Sequence, residues 1–243
     1  MNAQITYLDN SGFLIKTPNH TLIFDDWLME GVAGKKGLPA GAVDPREISG
    51  ENVWVFASHA HGDHYNPKVL RWKNQIESIH YVFSDDIKPV SGALMAAPNK
   101  EYIAEDIKIK TYRSTDEGVA FLLETDGLVV YHAGDLNWWH WEGEDPAWNA
   151  QMAKDYQAEI KKLQNESIDI AFVPVDPRLL DSCTLGIKLF METVGNVQMV
   201  IPMHYRSQAA FAEKELSKLP LEWREKIVPP MERGQTVSYK KLG

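Results

Sequence analysis

The run His59-Ala60-His61-Gly62-Asp63-His64 places three imidazoles and a carboxylate within six residues, directly after an apolar segment. Neutral imidazole and carboxylate are the donors that suit zinc and its divalent neighbours, so this stretch reads as a metal loop. Its spacing also carries geometry. His59 and His61, two apart, face the same way in extended backbone, and Gly62 lets the chain turn so that Asp63 and His64 reach a second position beside the first. Scattered surface usage is a poor account of three of the chain's eight histidines in one window. An affinity tag would sit at a terminus, not between a strand and a capped helix.

The neighbouring residues supply the positioning elements. Residues 52–57, Asn-Val-Trp-Val-Phe-Ala, read as a buried strand that delivers the chain to its C-terminal edge. Asn66-Pro67 then provides an N-cap and a first-turn proline for a helix. Two later strands end in the same residue types: 128–131 runs into His132-Ala133-Gly134-Asp135, and 197–201 runs into Pro202-Met203-His204-Tyr205. A lone Asp or His is ordinarily a turn former or a satisfied polar group, but the shared placement at strand exits makes Asp135 and His204 candidate ligands.

The rest of the chain predicts strands at 5–8, 13–16, 21–24, 79–83, 107–111, 119–123, 168–173 and 236–239. Asn10-Ser11-Gly12 and Thr125-Asp126-Gly127 form hairpin turns, and residues 31–50, rich in Gly, Pro and Ala, form a loop. Helices are expected over 148–164, 185–194 and 209–216. Hairpin-rich halves joined by strand–helix alternation predict two sheets face to face with helices outside, an α/β four-layer αββα sandwich. Without a repeat or a Pro/Gly-rich linker, residues 1–243 read as a single domain.

Composition narrows the function classes. A net charge of −9 gives no broad attraction to nucleic acid or anionic membrane, and no apolar stretch approaches the length of a membrane span. The opening residues carry no basic start followed by an apolar core, and Cys183 stands without a disulfide partner. These features predict a cytoplasmic protein acting on a small molecule, with a homo-oligomer left open.

His59-X-His61-X-Asp63-His64, the Gly134-Asp135 pair after a strand and the late His204 together resemble the metallo-β-lactamase superfamily over essentially the whole chain. The phrases Tyr131-His132-Ala133-Gly134-Asp135 and Pro202-Met203-His204-Tyr205 look most like its lactonase-like branch, which includes L-ascorbate-6-phosphate lactonase. The resemblance implies the metallo-β-lactamase fold, with His59 and His61 on one metal, Asp63, His64 and His204 on another, and Asp135 bridging. It also implies that Asp25 supports the metal loop from behind. Histidine at position 61 is similar to the hydrolytic members rather than the di-iron redox members. One or two Zn2+ ions are expected, with Mn2+ or Fe2+ as substitutes.

The pattern has a gap: relatives supply a third histidine to the first metal from the loop after the strand at 107–111, and this chain has Tyr112-Arg113-Ser114-Thr115-Asp116-Glu117-Gly118 there. Asp116 or Glu117 is the candidate replacement; otherwise the first site is weak or empty. His132, three residues from Asp135, is expected to hydrogen-bond a ligand. The run Leu136-Asn137-Trp138-Trp139-His140-Trp141 is either core packing or a substrate wall formed by Trp138 and Trp139, with His140 as proton donor. Arg178 is either a clamp for an anionic group or a surface ion pair.

The expected activity is metal-dependent hydrolysis of an ester, lactone or amide bond in a small polar substrate. Metal-activated water would attack, oriented by Asp63, which could also take its proton. A phosphodiesterase, and a catalytically impaired metal- or metabolite-binding protein, are the alternatives.

Overall fold

The computed structural model describes residues 1–28, 30–32 and 37–241. In chain order the strands are β1 (Asn2–Asp9), β2 (Gly12–Lys16), β3 (Thr21–Phe24), β4 (Val53–Ala57), β5 (Ile79–Ser84), β6 (Leu94–Ala96), β7 (Glu101–Ala104), β8 (Ile107–Arg113), β9 (Val119–Thr125), β10 (Leu128–His132), β11 (Ile168–Pro174), β12 (Val197–Met203) and β13 (Thr236–Lys240). The α-helices are α1 (Pro146–Lys161), α2 (Leu185–Thr193), α3 (Ala209–Leu216) and α4 (Leu221–Arg224). One sheet runs β13-β1-β2-β3-β4-β5-β6 and the other β12-β11-β10-β9-β8-β7.

Strand alternation explains how the sheets pack. Along β4, Trp54 and Phe56 join the cluster between the sheets, while Val53, Val55 and Ala57 join a second cluster on the outer face of the first sheet. Between the sheets the contacts are largely aromatic: Phe13 meets Phe172 at 4.3 Å, and Phe24 stacks on Phe56 at 4.8 Å. On the second sheet, α1 and α2 bury Met152, Tyr156, Ile160, Ile187 and Phe190 in the same cluster. Two sheets covered on their outer faces make the sandwich that the alternation predicted.

Several local expectations change. The helix expected after Asn66 is a 3-10 segment, Pro67–Asn74. Val69 and Trp72, three apart, bury together, and the Tyr81 hydroxyl donates to the Val69 carbonyl at 3.0 Å; a three-residue period aligns such a pair on one face. β6 and β7 went unpredicted because they are short and carry little β-branched sequence. The helix expected at 148–164 begins earlier, where the Asp145 carboxylate accepts from the Ala147 N–H at 2.7 Å and Pro146 sets the first turn. In the loop expected at 31–50, 3-10 turns occupy Leu38–Ala40 and Pro45–Ile48, and residues 33–36 lie outside the described residues. Among the described residues, no helix is long and apolar enough to cross a membrane.

Candidate metal centre

β3 and β4 run parallel, as do β10, β11 and β12, so their C-terminal ends deliver Asp25, His59, Asp135, Asp176 and His204 to one rim. The loops there are clamped together by backbone. The Val119 N–H donates to the Ser58 carbonyl at 2.9 Å, and Gly118 and Gly134, at φ 69° and 53°, press against Ser58. A Cβ at Gly118 would lie 2.0 Å from the Ser58 oxygen, and one at Gly134 would lie 2.6 Å from the Ser58 Cβ. Both positions need glycine, and their closeness draws Asp116 and Asp135 toward His59.

The side chains converge on Asp135. Its Oδ1 lies 3.2 Å from His64 Nε2 and 3.4 Å from His204 Nε2, while its Oδ2 lies 3.6 Å from His59 Nε2. His204 Nε2 is also 3.9 Å from Asp63 Oδ2, and His61 Nδ1 is 3.0 Å from His59 Nε2. Among the described residues, three groups are close enough to share an ion: His59–His64–Asp135, Asp63–His64–His204 and His61–Asp116–Asp135.

Each buried imidazole has a polar partner behind it. His64 Nδ1 donates to Asp25 at 2.8 Å, His204 Nδ1 donates to Asp176 at 2.9 Å, and His59 Nδ1 donates to the Ser58 hydroxyl at 2.9 Å. The Ser58 hydroxyl in turn donates to Asp25 at 2.8 Å. This arrangement fixes the tautomer of each ring and leaves its Nε2 lone pair aimed inward.

The surrounding carboxylates favour positive charge at this point. Burial lowers the affinity of His64 for a proton, yet Asp135 and Asp25 outweigh it and raise the group to about 9. Burial and the charge of His64 push His59 down to about 4. Despite burial, His64 holds Asp25 at about 2, and His64, His204 and His59 keep Asp135 below its usual range. The buried atoms His64 Nε2, His204 Nε2 and Asp135 Oδ1 have no hydrogen-bond partner. Orphaned donors of these kinds, aimed at one another, fit a divalent ion.

The sequence model of the beta-lactamase superfamily domain matches residues 4–144. The chain belongs to this superfamily. A curated relative, the UPF0173 metal-dependent hydrolase of Korarchaeum cryptofilum, is 25% identical over 214 residues, 84% of each chain. Among solved structures, Igni18, a metallo hydrolase of the archaeon Ignicoccus hospitalis, superposes with a TM-score of 0.64 at 18% identity, covering 100% of both chains. CmlA, a diiron beta-hydroxylase of Streptomyces venezuelae, superposes with a TM-score of 0.62 at 10% identity, covering 98% of this chain and 54% of CmlA. Likeness at these identities shows the shared fold and leaves the reaction to the site.

Within this superfamily domain several predicted roles move. His132 does not bond a ligand side chain: its Nε2 donates to the Ser11 carbonyl at 2.9 Å, and its Nδ1 accepts from the Gly134 N–H at 3.2 Å. Stacked on Phe24 between the sheets, it braces the backbone just before Asp135. His140 is not at the cluster; it lines a separate depression with Trp138, Trp141 and Glu142. The turn after Asp135 sends Trp138 that way too, whereas Trp139 turns inward. Its indole N–H donates to the Asp135 carbonyl at 3.0 Å, and its ring meets His204 edge-on at 5.7 Å.

Trp139, Trp141, Trp148, Met152, Asp116 and Arg178 line a cleft of about 180 Å³ beside the cluster. Arg178 sits 5.4 Å over the Trp141 ring and forks onto Asp176 through Nε, at 3.0 and 2.9 Å. It therefore holds the carboxylate that holds His204. Asp63 is gripped by Arg206 at 2.9 Å and by Asn10 Nδ2 at 3.2 Å.

Asp176, Ser58, Asn10 and Arg206 were not singled out from sequence. Asp176 left a readable trace, as another acidic residue at a buried strand's exit. His204 and Arg206 adopt φ 64° and 47°, a left-handed backbone that sequence pattern does not reveal at non-glycine residues.

Proposed function

We propose that the protein is a metal-dependent hydrolase that cleaves an ester, lactone or amide bond of a small polar substrate, as a cytoplasmic single domain over residues 1–243. The observation that carries this reading is the convergence of His64 Nε2 and His204 Nε2 on Asp135 Oδ1, at 3.2 and 3.4 Å, three buried atoms without a hydrogen-bond partner. Asp63, His64, Asp135 and His204 would hold the principal ion, with His59 and His61 beside them. The imidazole-rich donor set suits Zn2+. When bound, such an ion polarises the scissile carbonyl and makes water acidic enough to attack near neutral pH.

The chain's own groups supply the rest. Arg206 and Asn10 anchor Asp63 through Oδ2, which leaves Oδ1 free to orient the attacking water and accept its proton. Trp139, Trp141, Trp148 and Met152 exclude solvent from one side and hold the apolar part of the substrate. With His140 turned away, a second water protonates the leaving group.

The resemblance of residues 131–135 and 202–205 to the lactonase-like branch puts lactones first in a substrate screen. Metal-replete protein and Asp63→Asn would be assayed on lactones, esters, amides and phosphodiesters. Cleavage by the wild type that falls at least about 100-fold in the variant is expected. Full metal loading with no cleavage of any class would leave the metal- or metabolite-binding reading instead.

A further inference from the structure

The loop that lacks the superfamily's usual histidine still points a donor at the cluster. We infer that Asp116 takes the place of that histidine, forming with His61, His59 and Asp135 a second divalent cation site, and that Glu117 backs His61 from outside. The inference deepens the hydrolase reading and rests on its principal ion site.

The two acidic residues face different nitrogens of one ring. His61 Nδ1 looks into the cluster, 3.0 Å from His59 Nε2 and 4.0 Å from Asp116 Oδ2. His61 Nε2 looks outward, 3.4 Å from Glu117 Oε2. That matches the pattern of His64 with Asp25 and of His204 with Asp176: one nitrogen faces the cluster and the other a carboxylate. Asp116, His61 and Asp135 are close enough to share an ion. Asp135 can serve both sites because its Oδ1 faces His64 and His204 while its Oδ2 faces His59.

Asp116 is not on a free-swinging tip. Its own N–H donates to Ser114 Oγ at 3.1 Å, the Thr115 hydroxyl donates to the Asn137 carbonyl at 2.6 Å, and the Ser114 N–H donates to the Gly118 carbonyl at 3.2 Å. The loop is thus pinned between the metal loop and the tryptophan run, and its carboxylate shares a cleft with Trp139 and Arg178.

The chemistry of the replacement matters. Two carboxylates and two imidazoles match the donor count of the inner site, but half-exposed His61 and Asp116 make this one more open. Such a site tolerates Mn2+ or Fe2+ better than an all-histidine site does. The two ions should therefore differ in affinity.

The test uses the full chain stripped of metal, titrated with Zn2+ alone and with Mn2+ alone, and read by calorimetry, bound-metal analysis and the Mn2+ paramagnetic resonance signal. Wild type should bind two ions per chain, the second more weakly. Asp116→Asn should bind about one, Glu117→Gln two with the second weakened by roughly tenfold, and Asp116→His two with the second favouring Zn2+ over Mn2+. Circular dichroism checks that each variant stays folded. Two ions in Asp116→Asn at unchanged affinity, or one ion in wild type and Asp116→Asn alike, would overturn the assignment while leaving the hydrolase reading standing. A wild type that binds no ion would remove both.

Discussion

The two halves of the His/Asp cluster are furnished unequally. Around His64 and His204 the imidazoles are fully enclosed and each is held by a buried carboxylate, Asp25 or Asp176. Around His61 the ring is 44% exposed, and its acidic neighbours, Asp116 and Glu117, are 43% and 55% exposed. A donor held rigidly in a dry site loses little freedom on binding an ion, whereas an exposed one must give up both hydration and motion. The inner half is therefore preorganised, and the outer half would be completed only by an ion it took.

The most severe way to break this contrast is to remove what the halves share. Asp135→Ala should abolish binding of both ions and lower activity by roughly 1000-fold or more, about 4 kcal/mol of transition-state stabilisation. Metal content and steady-state kinetics check it; loss of one ion alone would mean that the halves are independent. Next in size, Asp176→Asn should weaken the inner ion by about 10- to 100-fold, while Glu117→Gln should change the inner affinity by less than about threefold. Competition with a chelator measures both, and equal effects would erase the distinction between enclosed and exposed support.

A smaller effect tests paired against unpaired burial at neighbouring residues. Asp25 is held at about 2 by His64, but Asp26, equally buried and without a hydrogen-bond partner, is pushed up by burial to about 7, partly offset by Arg233. A carboxyl whose folded value is raised stabilises the fold fully below its unfolded value near 3.8, and that contribution is lost as pH rises through about 7. Asp26→Asn should therefore melt on the order of 5 °C higher than wild type at pH 8 and show no such gain at pH 4. Thermal denaturation across that range reads the difference. The smallest effect is expected at His140, which lines another depression; His140→Ala should leave activity within about twofold of wild type. A larger fall would return it to the site.

The strand-end positions of His59, Asp135 and His204 were legible because apolar runs with turn residues after them are local patterns. So was the hairpin at Asp126-Gly127, whose φ values of 49° and 69° suit a two-residue turn. The 3-10 segment after Asn66 was not legible, because its cap and proline serve any helix type equally and the packing of Val69 and Trp72 against Tyr81 selects the tighter one. Nor could sequence assign roles within Trp138-Trp139-His140-Trp141, where one turn of backbone sends Trp139 toward His204 and His140 away from it.

By itself the sequence determined which donors exist and that they gather at strand exits, since residue type and hydrophobic period are properties of short windows. Tertiary structure alone decided which nitrogen each carboxylate faces, that Asp176 stands behind His204, and that Asp116 rather than Glu117 turns inward. Those outcomes depend on the close approach of Gly118 and Gly134 to Ser58 and on the β1–β2 turn reaching Asp63 and His204, contacts between residues far apart in the chain.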